Sequence, residues 1–149
     1  MVKSIRLGLS TLERAHLTDV RVSPLVRDEL YSKFDESAEE ICGSLFGELT
    51  NSTLALTELQ MFPNVAQSER EFAISVDEMV LAIGHHSQRL VGIFHSHPRA
   101  EPAPSILDLQ FLTVTPFVWA IIGKIESLAP SMRFFVYADA HVKEIGSNE

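Results

Sequence analysis

An apolar run from Leu90 to Phe94 that ends in His95-Ser96-His97, with Pro98, Pro102 and Pro104 directly behind it, leaves this chain few ways to fold. A short apolar run bounded in this way reads as a strand, and the prolines fix φ and keep the preceding residues out of the helical region, so the segment beyond it is extended. Residues i and i+2 of a strand share a face, which makes the two imidazoles converge while Ser96 points the other way. Ser105 then opens a helix, and Asp108 lies in its first turn, where a carboxylate suits the helix N-terminus.

The rest of the sequence supplies a fold around that strand. Thr18 to Val22 alternates like a strand. Ser23-Pro24 reads as N-cap and first helical residue of a helix carrying Leu25, Val26, Leu30 and Phe34 and ending near Asp35 to Ser37. Ile41 to Phe46, Thr53 to Phe62 and Glu71 to Ile74 read as strands in an antiparallel meander. Ser75 with Glu78 forms a capping box for a second helix that runs to about Gln88. Three further strands follow, Phe117 to Ile122, Met132 to Tyr137 and His141 to Ile145, the first wholly apolar and therefore central. Gly146 to Glu149 reads as a polar tail. The expected class is α/β, a mixed β-sheet with three flanking helices, in a single domain over 1–149 with its core at about 18–146.

Composition bounds the chemistry. The 149 residues carry 12 Lys+Arg against 20 Asp+Glu, a net charge of -8, and no basic cluster, which argues against a nucleic-acid partner. No apolar stretch is long enough to span a membrane, and neither a signal peptide nor an internal disulfide is readable, so a cytoplasmic protein is expected. With one cysteine, Cys42, a Cys-built zinc site is impossible, and the six histidines are the pool of metal ligands. Cys42 reads as a buried thiol and Trp119 as core, while His85 and His86 suit the end of the second helix and His16 and His141 have no spaced partner.

The pattern from His95 is therefore H-x-H-x7-S-x2-D. Two histidines and one carboxylate, with a fourth position open for water, are what a catalytic zinc site requires. Ser105 and Asp108 also make a good helix start by themselves, and the two readings are compatible, because a cap fixes the backbone that aims both side chains. Upstream, Glu40 precedes Cys42-Gly43 at a helix-to-strand junction, beside an equally acidic Glu39. A carboxylate placed there can serve as general base and then general acid.

Glu40 with Cys42-Gly43, then His95-Ser96-His97-Pro98, Ser105 and Asp108, resembles the JAMM (MPN+) metalloprotease family, over about Val20 to Ile145 and in every motif residue. The resemblance implies an MPN (cytidine-deaminase-like) domain and a zinc isopeptidase that removes ubiquitin or ubiquitin-like modifiers, with one Zn2+ on His95, His97 and Asp108. It implies Glu40 as general base, chosen over Glu39 by the E-x-x-G spacing to Gly43, and Ser105 as stabiliser of the oxyanion. Pro63 to Ala73 is the only stretch resembling the first insertion of larger relatives and the path from Asp108 to Phe117 is too short for the second, so the chain resembles minimal prokaryotic members or the core of the proteasome-lid deubiquitinase, the latter implying a proteasome-related complex as its setting. Pro63 to Ala73, with Ser68, Glu69, Arg70 and Glu71 at its tip, is the candidate edge on which a modifier's extended tail could add a strand; a solvated loop is the alternative. Two other functions remain compatible with the same residues, a peptidase that processes sulfur-carrier proteins and a non-catalytic MPN scaffold subunit.

Overall fold

The computed structural model describes residues 7–63, 86 and 88–148. Among these residues the backbone forms one closed sheet of seven strands in the order β1-β3-β2-β4-β5-β6-β7. Helix α1 (Thr11–His16) precedes β1 (Asp19–Val22), and α2 (Pro24–Glu36) leads to β2 (Cys42–Thr50), β3 (Thr53–Phe62) and β4 (Arg89–His97). Helix α3 (Ile106–Leu112) and strands β5 (Val118–Gly123), β6 (Ser131–Ala138) and β7 (His141–Asn148) complete the order.

Local chemistry explains most of these elements. The Ser23 hydroxyl accepts the Val26 N–H at 3.3 Å and Pro24 occupies the first turn of α2, which buries Val26, Leu30 and Phe34 at helical spacing while Leu25 stays exposed. Strands β2 and β3 form a hairpin from Thr50↔Thr53 to Cys42↔Phe62, turned by Asn51 at φ 57°. Between β6 and β7 the turn residues Asp139 and Ala140 both have positive φ, the conformation that suits the twist of a tight hairpin. Every residue of β5 is buried because its two faces serve two different clusters. Val118, Ala120 and Ile122 pack with the buried face of α2, and Trp119 and Ile121 pack with Cys42, Phe46, Phe62 and Leu112.

Several expectations change. The mixed sheet is present, with β4 antiparallel to β2 and parallel to β5, but it closes on itself where β7 pairs in parallel with β1. The residues from Gly146 to Asn148 are therefore the closing strand rather than a loose tail, held by backbone hydrogen bonds that do not depend on apolar side chains. The core also begins earlier than residue 18. Leu9 and Leu17 are buried, and a capping box of Ser10 and Glu13 opens α1, a helix the apolar pattern does not reveal because it buries no residue of its own. Three helices are present among the described residues, with α1 as the unforeseen one; the strand expected at Glu71 to Ile74, the helix from Ser75 and His85 lie outside the described residues. The His86 ring stacks on Phe46, with Nδ1 2.5 Å from a Glu58 carboxylate oxygen, while the helix whose end it was expected to suit lies outside the described residues. Among the described residues no helix is long and apolar enough to cross a membrane.

Candidate metal centre

Strand β4 is buried from Leu90 to Ser96, clamped between β2 and β5, and it delivers the two histidines at its C-terminal end. His95 stands opposite Cys42 on β2 and Ile121 on β5 and is fully buried, with the Trp119 ring packed edge-on against its imidazole at 5.5 Å. Trp119 is held in turn by its Nε1–H, which donates to Thr115 Oγ1 at 2.8 Å. His97 follows on the same face, its ring centroid 5.1 Å from that of His95.

The proline-rich segment folds back over the end of β5. Lys124 N–H donates to the Ala100 carbonyl at 2.8 Å, and His97 Nδ1 lies 3.1 Å from the Glu101 carbonyl oxygen. A carbonyl can only accept, so this contact places a proton on Nδ1 and leaves Nε2 as the ring nitrogen turned towards Asp108. The close approach depends on Gly123, where an added Cβ would lie 2.4 Å from the Ala100 carbonyl oxygen and 2.5 Å from Pro102 N. Gly43 has a comparable role at the start of β2: a Cβ there would lie 2.1 Å from the Gln60 carbonyl oxygen and 2.5 Å from the Phe94 ring.

Helix α3 brings the carboxylate. The Ser105 hydroxyl accepts the Asp108 N–H at 3.1 Å while Asp108 Oδ2 accepts the Ser105 N–H at 2.9 Å, a reciprocal box that fixes the first turn. So held, Asp108 sets Oδ1 3.0 Å from His95 Nε2 and Oδ2 3.1 Å from His97 Nε2. One donor atom from each of His95, His97 and Asp108 falls within a mutual 4.8 Å, the only such group of three among the described residues.

Electrostatics follow from burial and from these contacts. Burial pushes the His95 imidazole towards its neutral form against the pull of Asp108. Burial acts the same way on His97 but is outweighed by the hydrogen bonds to Asp108 and the Glu101 carbonyl and by the charges of Asp108 and Glu40, so its pKa rises. Burial would also raise Asp108, yet hydrogen bonds from both histidines hold it well below the usual carboxylate range. An anionic oxygen and two imidazole nitrogens so close together match the donor set of a metal site built from two histidines and one carboxylate, and the residues present fit a single divalent ion.

The remaining predicted residues are placed as follows. Glu40 is buried two residues before β2, near enough for its charge to act on both His97 and Cys42, whereas Glu39 is exposed, its main chain in local contact with Ser37. Ser105 is exposed at the rim. Cys42 is a buried thiol, as expected, and burial, then the Glu40 charge, pushes its pKa up to about 12. Ser68, Glu69, Arg70 and Glu71 lie outside the described residues. The sequence reading missed the Glu101 carbonyl and Gly123; a main-chain oxygen leaves no mark in a sequence, although a glycine closing an otherwise apolar strand is a signal of close backbone approach.

A small α/β domain whose closed sheet ends in a buried His-His-carboxylate cluster is thus defined by fold and site together. The chain belongs to the prokaryotic homologs of the JAB domain, whose family model matches residues 23–137. This bears out the resemblance to minimal JAMM proteins. Two archaeal proteins named desampylase are similar to it. That of Pyrococcus furiosus is 35% identical over 91 residues, 59% of this chain and 62% of the relative, and that of Haloferax volcanii is 29% identical over 105 residues, 64% of this chain and 73% of the relative. The match therefore spans less than two thirds of the Pyrococcus protein. The fold is shared with the solution structure of a Desulfitobacterium hafniense protein at TM-score 0.75 and 24% identity, covering 87% of this chain and 91% of the other. A Salinibacter ruber protein follows at TM-score 0.61 and 23% identity, covering 87% and 92%.

Proposed function

We propose that this chain is a zinc-dependent isopeptidase that removes ubiquitin-like modifiers from proteins. The observation that carries the reading is the convergence of His95, His97 and Asp108 within 4.8 Å beside a buried Glu40. The desampylase names of the two archaeal relatives point to the same substrate class.

Zinc held by His95 Nε2, His97 Nε2 and the Asp108 carboxylate would supply a Lewis acid to water and to the scissile carbonyl. The protein's own groups do the rest. Glu40 takes a proton from the attacking water as its oxygen bonds to the carbonyl carbon, and returns that proton to the lysine nitrogen as the C–N bond breaks. Ser105 Oγ already accepts the Asp108 N–H, which leaves its own O–H to donate to the carbonyl oxygen as negative charge develops there. The Glu101 carbonyl holds the His97 tautomer.

The test is Glu40→Gln, assayed with a ubiquitin-like protein of the same organism joined through its C-terminus to a lysine side chain. The substitution keeps the size and removes the base, so one zinc per chain is expected to remain while turnover falls by about 10²- to 10⁴-fold. Wild-type turnover in Glu40→Gln would overturn the assignment of the base, and a zinc-loaded wild-type chain that leaves the conjugate intact would overturn the enzyme reading.

A further inference from the structure

We infer that Ser96, the residue between the two histidines, is a positioning residue that sets the place of the Glu40 carboxylate; the inference rests on Glu40 being the base. Strands β2 and β4 are paired as far as Cys42↔His95. One step on, the register brings Ile41 opposite Ser96, and these two residues do exchange hydrogen bonds, but not as a regular antiparallel pair would. The Ser96 N–H donates to the Ile41 carbonyl at 3.0 Å, whereas the Ile41 N–H is accepted by Ser96 Oγ at 2.9 Å in place of the Ser96 backbone carbonyl.

The consequence is local and specific. Ser96 Oγ leaves the strand from Cβ, in a different direction from the carbonyl it replaces, so the regular ladder ends at Ile41, and the next residue outward is Glu40. Ser96 is 1% exposed and Ile41 9%, which means that water cannot take over the contact when the hydroxyl is lost. The same residue that separates the two imidazoles along β4 thus ties the segment bearing the base to the strand bearing the ligands. Serine or threonine at position 96 provides the acceptor; alanine does not. An error of about 1 Å in the placement of a catalytic group can cost about 10²-fold in rate.

The experiment compares Ser96→Ala, Ser96→Cys and Ser96→Thr with wild type and Glu40→Gln, on the full chain, by zinc content, by amide hydrogen exchange at Ile41 and by steady-state kinetics on the lysine-linked conjugate. Cysteine nearly preserves volume but is a weak acceptor, so it covers the case in which alanine fails to fold. The expected result for alanine and cysteine is one zinc per chain, at least about tenfold faster exchange at Ile41, and kcat lowered about 10- to 100-fold with KM unchanged, all restored by threonine. Unchanged exchange at Ile41 in both the alanine and cysteine variants, or unchanged kcat in them while Glu40→Gln is inactive, overturns the role of Ser96. KM rising together with kcat loss and zinc loss would also overturn it, as mere packing. An active Glu40→Gln would instead sink the reading of Glu40 and leave the Ile41 exchange to decide whether Ser96 holds that segment.

Discussion

The two ends of β4 use polar groups held away from bulk water in opposite ways. At its start, the Arg89 guanidinium donates to the Gly8 carbonyl at 2.6 and 3.0 Å and to the Glu13 carboxylate at 2.7 and 3.1 Å, a cation meeting acceptors. Arg14 and Lys143 extend the pattern, Arg14 donating to the carbonyls of Leu9 and Tyr137 and Lys143 to those of Arg14, Ala15 and Leu17, so that α1 is fixed to β6 and β7. At the other end, two imidazole nitrogens and a carboxylate, all lone-pair donors to a metal, crowd together. The first end is saturated and structural. The second gathers electron pairs around a place where a cation would be stabilised, and that contrast separates a staple from a site.

The contrast can be broken at either end. The largest effect is expected from His97→Ala, which should take zinc from one per chain to none and turnover to background; a variant that still binds zinc stoichiometrically would remove His97 from the ligand set. Gly123→Ala should come next, since its methyl group displaces the segment that carries the Glu101 carbonyl. Loss of such an outer partner lowers metal affinity by about 10- to 100-fold, measurable by competition with a chelator, and unchanged affinity would show that the His97 tautomer needs no help. Arg89→Met should leave zinc content and kcat alone while lowering stability by about 2 kcal/mol, read in denaturant, because it removes charge-assisted hydrogen bonds from a partly buried carbonyl and carboxylate; loss of metal in this variant would mean that the two ends are coupled.

The smallest effect concerns pH. The hydrogen bonds from Arg89, then from the Ser10 backbone, lower the Glu13 pKa from 4.5 to about 2. A folded-state pKa below the unfolded one gives stability that is complete above about 4.5 and is lost as pH falls towards 2. Solvent screening at this partly exposed pair leaves a contribution of about 1 kcal/mol. Glu13→Gln should therefore flatten the acid limb of the stability curve across that window, and an unaltered limb would assign acid sensitivity elsewhere.

Much of the site was legible because its signals are local. H-x-H on a strand and S-x2-D at a helix start are both fixed by neighbours in sequence, and the structure brings them into contact through Asp108 and the two Nε2 atoms. The E-x-x-G spacing also has a visible cause, since Gly43 packs under Phe94 and against Gln60 while Glu40 is buried and Glu39 is not. Less was legible where the partner is main chain. Helix α1 buries no side chain, β7 ends in Gly146, Ser147 and Asn148, and the Glu101 carbonyl supports His97 regardless of its own side chain.

The sequence by itself therefore determined which atoms could serve as ligands and base, because residue type sets the donor and short spacing sets its face. Only the tertiary structure decided that the sheet closes through β1 and β7, that Arg89 ties the N-terminal segment to the start of β4, and that Ser96 replaces a ladder carbonyl beside Glu40. Those contacts join residues far apart in the chain through backbone groups that every residue carries, and only the folded geometry selects which of them meet.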